Sequence, residues 1–521
     1  MSSRVPPDIQ ASPAVIEMFE IYGPAYTWFA VGTAMLGSFA TLLTATIINV
    51  AIPEVMGAFG IGQDKAQWLS TAFLAAGTVT MLLAAWSTAV FGMRLTFTVS
   101  MAVFLVGSIL GGLAPNPEVL IFSRLVQGAA AGVMSPLSMV INYQIFPAHR
   151  RGMAMGIFGI GVVLAPALGP TLGGILIDNY DWRYVFYLAI PFSMVSIPLA
   201  MMFMPARDKN APTPAFDWGG VILLSVFLVS LLTGLSDGER EGWTSDYIVM
   251  LLASAWFSCI AFIWWELRTT HPLLNLRLFT HPKFLAASIV TASMGVGLYG
   301  STYLVPLFLQ TLQHISPTSS GFLMLPAGLA MAALFPVAGA LSDRFEPRFI
   351  IMLGLILFLI SSWVMRVVDV NTPYAWMVGW ALIGRIGLAF IFPSLNAASL
   401  SALPMELLSQ ASGAINFLRQ LGGAFGVNLL SIFLAQRTAE YSHAFTATQS
   451  SRPATLQMLQ SLQDGMFGEH LGFLMQFEMT WGFLSGMVYS QAMTMSFREG
   501  FMVISVIFLL SLIPTWYMKK N

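Results

Sequence analysis

Apolar runs of membrane-crossing length follow one another along almost the whole of the 521-residue chain. A helix rises 1.5 Å per residue, so about 20 apolar residues cross the roughly 30 Å hydrocarbon core of a bilayer. No water reaches backbone groups there, and only helices or closed barrels satisfy them. The runs lack the alternation of barrel strands, so they are helices. Composition agrees about the solvent: 57% of residues are hydrophobic and 9% are charged, against about 25% charged in soluble domains. The expected class is an all-α integral membrane protein. A net charge of −1 leaves no basic footprint for nucleic acid. The single cysteine, Cys259, excludes an internal disulfide.

Fourteen helices are predicted, near 26–52, 66–91, 95–114, 118–144, 152–177, 184–204, 217–236, 246–266, 284–311, 317–341, 348–368, 373–400, 409–436 and 495–518. The polar leader, with Asp8, Glu17 and Glu20, is unlike a cleavable signal. The first apolar run is therefore expected to remain as an anchor. Lys and Arg concentrate on the cytoplasmic side. With the N-terminus inside, the inner side collects Arg94, Arg150, Arg151, Arg207, Arg268, Arg344, Arg348, Lys519 and others. Both termini are thus expected in the cytoplasm, which requires an even number of crossings. Residues 471–492 are apolar apart from Glu478 and long enough for a fifteenth. An interfacial or re-entrant segment is expected there instead.

Four motifs carry the functional signal. The first places Arg124, Gln127 and Gly128 inside an apolar run. An intramembrane arginine normally faces a cavity or a partner; the alternative is an arginine held by backbone carbonyls. In the second, Gly161, Ala165, Gly169 and Gly173 recur every four residues and share a helix face, with Pro166, Pro170 and Gly174 beside them. That face suits either helices that rock or ordinary close packing. The third, Gly339 to Arg348, brings Asp343, Arg344 and Arg348 to a predicted cytoplasmic turn, as a charged latch or as solvated residues. The fourth puts Asn416 and Arg419 on one face ahead of Gly422, Gly423 and Gly426. Arg385, followed by small residues and Pro393, echoes Arg124 and Pro136 and hints at a repeat between halves.

In this order the motifs resemble the fourteen-helix drug:proton antiporter branch of the major facilitator superfamily, the EmrB/QacA type. TIINVAIP, with Thr46 and Asn49, is similar to its first-helix signature, and GPTLGG followed by DWRYVF to its antiporter motif. PLFLQ, GFLMLPAGL and INFLRQLGGAFG are similar to its second-half signatures. Two departures stand out. Thr44 occupies the place of the family's first-helix aspartate, and Ala89 and Val90 replace the Asp-Arg pair before Gly92.

The resemblance implies a major facilitator fold. It would comprise a cytoplasmic tail 1–25, a six-helix bundle 26–204, a linker 205–283 with two further helices, and a second bundle within 284–521 that includes a long outer segment 437–494. It implies proton-coupled export of amphipathic small molecules across the inner membrane. In a host with two membranes it implies a periplasmic adaptor protein and an outer-membrane channel. No cofactor or metal is expected. An uptake carrier on the same fold is the alternative. A membrane enzyme lacks support, because His149, His271, His281, His314, His443 and His470 share no metal or nucleophile spacing and fall in predicted loops. With Thr44 in place of an acid, Glu54 and Asp178 are the acids nearest the span centres and the candidate proton sites. Three intramembrane arginines without central acids favour neutral or weakly acidic substrates over cations, unless carbonyls and glutamines hold all three.

Overall fold

The structure, a computed structural model, describes residues 12–207, 213–449, 457 and 473–519. Among these, twelve helical segments are long and apolar enough to cross a membrane. The chain opens with α1 (Pro13–Tyr22), which the sequence left in a tail. Its apolar residues sit at helical spacing, and Val15, Met18 and Phe19 are buried against the helices that follow. Gly23, at φ 68°, turns the chain into α2 (Tyr26–Phe59).

The second and third predicted spans form one long helix, α3 (Gln63–Gly112), in which only Gly92 leaves helical geometry, at φ 78° and ψ 163°. A Cβ there would lie 2.7 Å from the Arg207 backbone nitrogen. Both the positive φ and the close approach therefore require glycine. Arg94 anchors this kink by donating from its backbone N–H to Pro205 O (3.1 Å) and from Nε to Met204 O (2.8 Å). Next come α4 (Pro117–Ile145), α5 (Arg151–Asn179), and a sixth run split at Leu188 into α6 (Tyr184–Tyr187) and α7 (Ala189–Phe203). These helices pack mainly on one another, except α5, which leans at least as heavily on the later group. That later group also packs mainly on itself and comprises α10 (Pro282–Thr311), α11 (Pro317–Arg344), α12 (Pro347–Met365), α13 (Tyr374–Ser401), α14 (Leu408–Gln449) and α15 (Phe473–Thr515). Between the two groups, α8 (Trp218–Glu241) and α9 (Asp246–Arg268) pack on each other and touch the rest sparingly.

In lipid, helices gain nothing by hiding apolar surface from one another; small residues and hydrogen bonds draw them together. The glycine contacts show this directly. A Cβ on Gly128 would stand 2.2 Å from Phe73 O, and one on Gly422 2.3 Å from Ala292 O. Such crossings exist only without a side chain.

The segment 471–492 departs from expectation. From Phe473 onward it is no separate re-entrant piece but the first half of α15, a continuous 43-residue helix. With α14 at 42 residues, both helices run about 60 Å, twice the hydrocarbon thickness. Arg437 on α14 grips Glu499 on α15 through Nε–Oε2 (2.6 Å) and Nη2–Oε1 (2.9 Å), and Thr438 meets Ser496 at 3.0 Å. The described part of the outer segment is thus two helices continuing out of the bundle. His443 lies on α14 rather than in a loop. His470 and most of 448–472 lie outside the described residues.

Candidate transport pathway and gate

Arg124 is completely buried on α4, a helix started by the Asn116 side chain, which accepts from Val119 N (2.9 Å). Its Nε donates to Leu69 O (2.9 Å), and Nη1 to Thr44 O (3.3 Å) and to Gln127 Oε1 (2.9 Å). The guanidinium covers the Phe73 ring at 4.2 Å, while Nη2 has no partner. Gln127 in turn donates to Ser108 Oγ (2.9 Å). Carbonyls and a glutamine therefore hold this arginine, which ties α2, α3 and α4 together. Thr44 is buried and donates to Ala40 O in its own helix.

The other two arginines lie in the second group of helices, and Arg419 is buried like Arg124. Arg385 is half-buried and reaches Thr302 Oγ1 at 2.7 Å. Arg419 donates from Nη2 to Asn416 Oδ1 and lies over Phe392 at 5.0 Å. Asn416 is the residue where the two helix groups meet. Its Oδ1 accepts from Ser135 Oγ (3.0 Å), and its Nδ2 donates to Ser412 O (2.9 Å) and contacts Met139 Sδ (3.4 Å). One turn away, Ser412 Oγ donates to Pro136 O (2.9 Å). Sequence reasoning missed Ser135 and Ser412; no local pattern marks a serine whose partner lies more than 270 residues away.

The second junction lies between α5 and α11. A Cβ on Gly152 would be 2.3 Å from Gly339 O, and one on Gly339 would be 2.2 Å from Gly152 O. Phe335 packs over Gly156 and Gly159 and tilts against Phe392. Asp343 finishes the contact: Oδ1 accepts from Gly152 N (2.6 Å) and Oδ2 from Met153 N (3.0 Å). A carboxylate thus sits on the open N-terminus of α5, where unpaired N–H groups and the helix dipole favour negative charge. Of the two arginines expected beside it, Arg348 pairs with Glu346 (2.5 Å) and lies over Trp516 (5.1 Å), and Arg344 is exposed. Asp343 reaches backbone groups of the other helix group. The Arg348–Trp516 contact also brings the end of α15 to this side of the molecule.

The repeated small residues of α5 serve its packing on α2. A Cβ on Gly169 would meet Thr46 Oγ1 at 2.4 Å, and one on Gly173 would meet Ile47 Cγ1 at 2.8 Å. Ala165 is buried, and Gly161 lies 3.8 Å from Met35 by the same construction. Gly174 faces open space. Pro170 lies within the helix. Asn49 is exposed and accepts from Ser70 Oγ (2.9 Å). Glu54 and Asp178 are both exposed, beyond Thr46 on α2 and beyond Gly173 on α5, away from Asp343. Two other acids are buried, Asp217 and Glu266. The sequence passed over them because each lies near a helix end.

A model of the Major Facilitator Superfamily matches residues 34–427. The chain is 32% identical over 431 residues to the uncharacterized MFS-type transporter YhcA of Bacillus subtilis, covering 82% of this chain and 80% of that one. It is 28% identical over 493 residues to the multidrug export protein EmrB of Haemophilus influenzae, covering 93% and 94%. It is 32% identical over 422 residues to the multidrug resistance protein B homolog of Mycobacterium tuberculosis, covering 79% and 76%. The solved human organic anion transporter MFSD10 (TETRAN) superimposes with a TM-score of 0.61 at 13% identity, over 94% of this chain and 99% of that one, a likeness of fold alone. A family match across most of the length, at 32% identity to YhcA, agrees with the helix packing described above: this chain belongs to the major facilitator superfamily of membrane transporters.

Proposed function

We propose that this protein is a secondary exporter of amphipathic small molecules that works by alternating access, in exchange for protons, in the inner membrane with both termini in the cytoplasm. The observation that carries the mechanism is the closed end of the molecule. Asp343 on the α5 N-terminus, the bare crossing of Gly152 and Gly339, and the Ser135–Asn416 bridge all join the two helix groups on one side. Rocking of the units 26–204 and 284–518 breaks these contacts together and opens that side. The positive-inside reading makes it the cytoplasmic side. Export rather than uptake rests on similarity to EmrB and the multidrug resistance protein B homolog.

Fourteen crossings fit this reading. The twelve membrane-length segments become fourteen when Gly92 divides α3 in two and the 29-residue α5 is added. The α8–α9 pair then lies outside two six-helix units. The extended α14 and α15, projecting on the side away from Asp343, are the natural surface for a periplasmic adaptor protein that would lead on to an outer-membrane channel. Deleting 448–466 should abolish adaptor co-purification while the protein stays in the membrane, and unchanged co-purification contradicts that role.

Substrate charge follows from the arginines that remain available. Carbonyls occupy Arg124, but Arg385 is half-buried beside Thr302 and Arg419 borders the Asn416 bridge. Fixed cations in a low-dielectric pathway favour anions and repel cations. Neutral or weakly acidic amphipathic compounds should therefore be carried better than permanent cations. Competition in everted vesicles between a lipophilic carboxylic acid and a quaternary ammonium dye tests this. Strong uptake of the dye, untouched by the acid, contradicts it.

A further inference from the structure

Two buried acids lie where α8 begins and α9 ends, apart from the junctions that close the pathway. Asp217 caps α8 and is 9% exposed; Glu266, in the last turn of α9, is 3% exposed. Asp217 has a full set of donors. Its Oδ1 accepts from Gly220 N (2.8 Å) and Trp265 Nε1 (2.7 Å), and its Oδ2 from Leu273 N (3.3 Å). Three N–H groups thus serve this one carboxyl. Glu266 is served on one side only. Its Oε2 accepts from Leu274 N (3.1 Å), while Oε1 is buried with no hydrogen-bond partner.

The orphan oxygen faces its neighbour. A Cβ placed on Gly220 would stand 2.5 Å from Asp217 Oδ2 and 2.5 Å from Glu266 Oε1. The two oxygens are therefore at most 5.0 Å apart, the sum of those distances. No Lys or Arg forms an ion pair with either acid among the described residues. Two negative charges this close in a poorly solvated site repel strongly. One proton on Glu266 Oε1 removes the repulsion and supplies the missing donor, directed toward Asp217 Oδ2. We propose that Asp217 and Glu266 form a proton-binding site that holds one proton between the two carboxyls, on the α8–α9 pair and outside both six-helix units.

The other charged groups nearby come from each neighbouring element. Arg268, on the same helix as Glu266, stacks on Trp264 at 4.4 Å. Arg207 precedes α8, His271 follows α9 and Glu406 precedes α14; all three line an adjoining recess of about 490 Å³. Lys209 lies outside the described residues. The site is also connected to the closed end of the molecule. The 269–275 connection supplies the Leu273 and Leu274 donors, and its Asn275 donates from Nδ2 to Gln410 Oε1 on α14 (3.0 Å). Movement of α14 away from α3 pulls on this connection and withdraws those donors, so the proton affinity of the pair changes with the state of the transporter. That coupling rests on the antiport reading; the proton site itself does not.

An infrared titration of the purified full-length protein in nanodiscs reads the site without any transport, so it stands or falls separately from the antiport assignment. The expected result is a protonated-carboxyl carbonyl band at neutral pH that is lost in Glu266→Gln. In Asp217→Asn, which keeps a helix-capping side chain, the charge beside Glu266 is gone and the band should titrate away at lower pH. A spectrum at neutral pH that Glu266→Gln leaves unchanged overturns the proposal. If Glu266→Gln does not yield monodisperse protein, the Asp217→Asn titration decides alone, and an unmoved midpoint overturns the proposal.

Discussion

Replacing Asp343 by Asn tests the closure of the transporter at its most specific point. The native carboxylate takes two backbone N–H groups, from Gly152 at 2.6 Å and Met153 at 3.0 Å, at the N-terminus of a 29-residue helix. Asn keeps one acceptor and presents an NH2 group to the second donor. It also removes the charge that the helix terminus favours. A hydrogen bond to a charged group contributes about 1.5–3 kcal/mol, and a favourable charge–helix interaction up to about 2 kcal/mol. These overlap, so about 2 kcal/mol is a fair loss for the closed state. At about 1.4 kcal/mol per tenfold change, that moves the closed-to-open ratio roughly 30-fold. In the first half, Ala89 stands where the family resemblance places the corresponding aspartate, so that copy of the motif supplies no carboxylate. Spin labels on His149→Cys and Phe345→Cys, both exposed at this end, in a Cys259→Ser background, report the separation of α5 and α11. The Asp343→Asn variant should show a longer-distance population and slower transport at normal expression. A distance distribution and transport rate identical to those of the parent refute the reasoning.

Further substitutions test other parts of the account. Gly339→Ala places a methyl group about 2 Å from the Gly152 carbonyl, where backbone must move; it should lower the closed population in the same spin-label measurement while α5 and α11 remain helical. Arg124→Ala leaves Leu69 O, Thr44 O and Gln127 without their donor inside the bundle. It should cost about 3 kcal/mol and lower the thermal midpoint in detergent, whereas a merely solvated arginine would leave the midpoint unchanged. Glu499→Gln breaks the paired contact with Arg437, so limited proteolysis should cut the projecting parts of α14 and α15 sooner than in the parent, with the bundle core intact.

The membrane class was legible because lipid permits only a few solutions to a long apolar run, and most predicted spans reappear within a few residues. Gly92 was legible as a break, but not as a one-residue kink whose form depends on Arg207, 115 positions away. The run at 471–492 was misjudged because charge counting treats each apolar run as a separate unit. Two apolar runs keep the same local pattern whether or not one helix joins them, and only the fold shows a single helix from Phe473 to Thr515. The site divides in the same way. Asp343, Asn416 and Arg419 stood out as polar residues in informative places, but the partners that give them roles are backbone N–H groups and serines of the other half. Arg124 stood out equally and proved to be a tie between helices. Asp217 and Glu266 did not stand out, because an acid near a helix end reads as solvated until the fold buries it.

The central claim is coupled exchange, and its most direct measurement uses the purified protein in proteoliposomes with an imposed proton gradient. A lipophilic weak acid and neutral amphipathic compounds are offered, and substrate and proton movements are recorded together. Coupled exchange moves substrate against its own gradient, with protons flowing the opposite way, and both should be reduced in Asp343→Asn. Substrate movement in the same direction as protons, or accumulation that ignores the proton gradient, contradicts it.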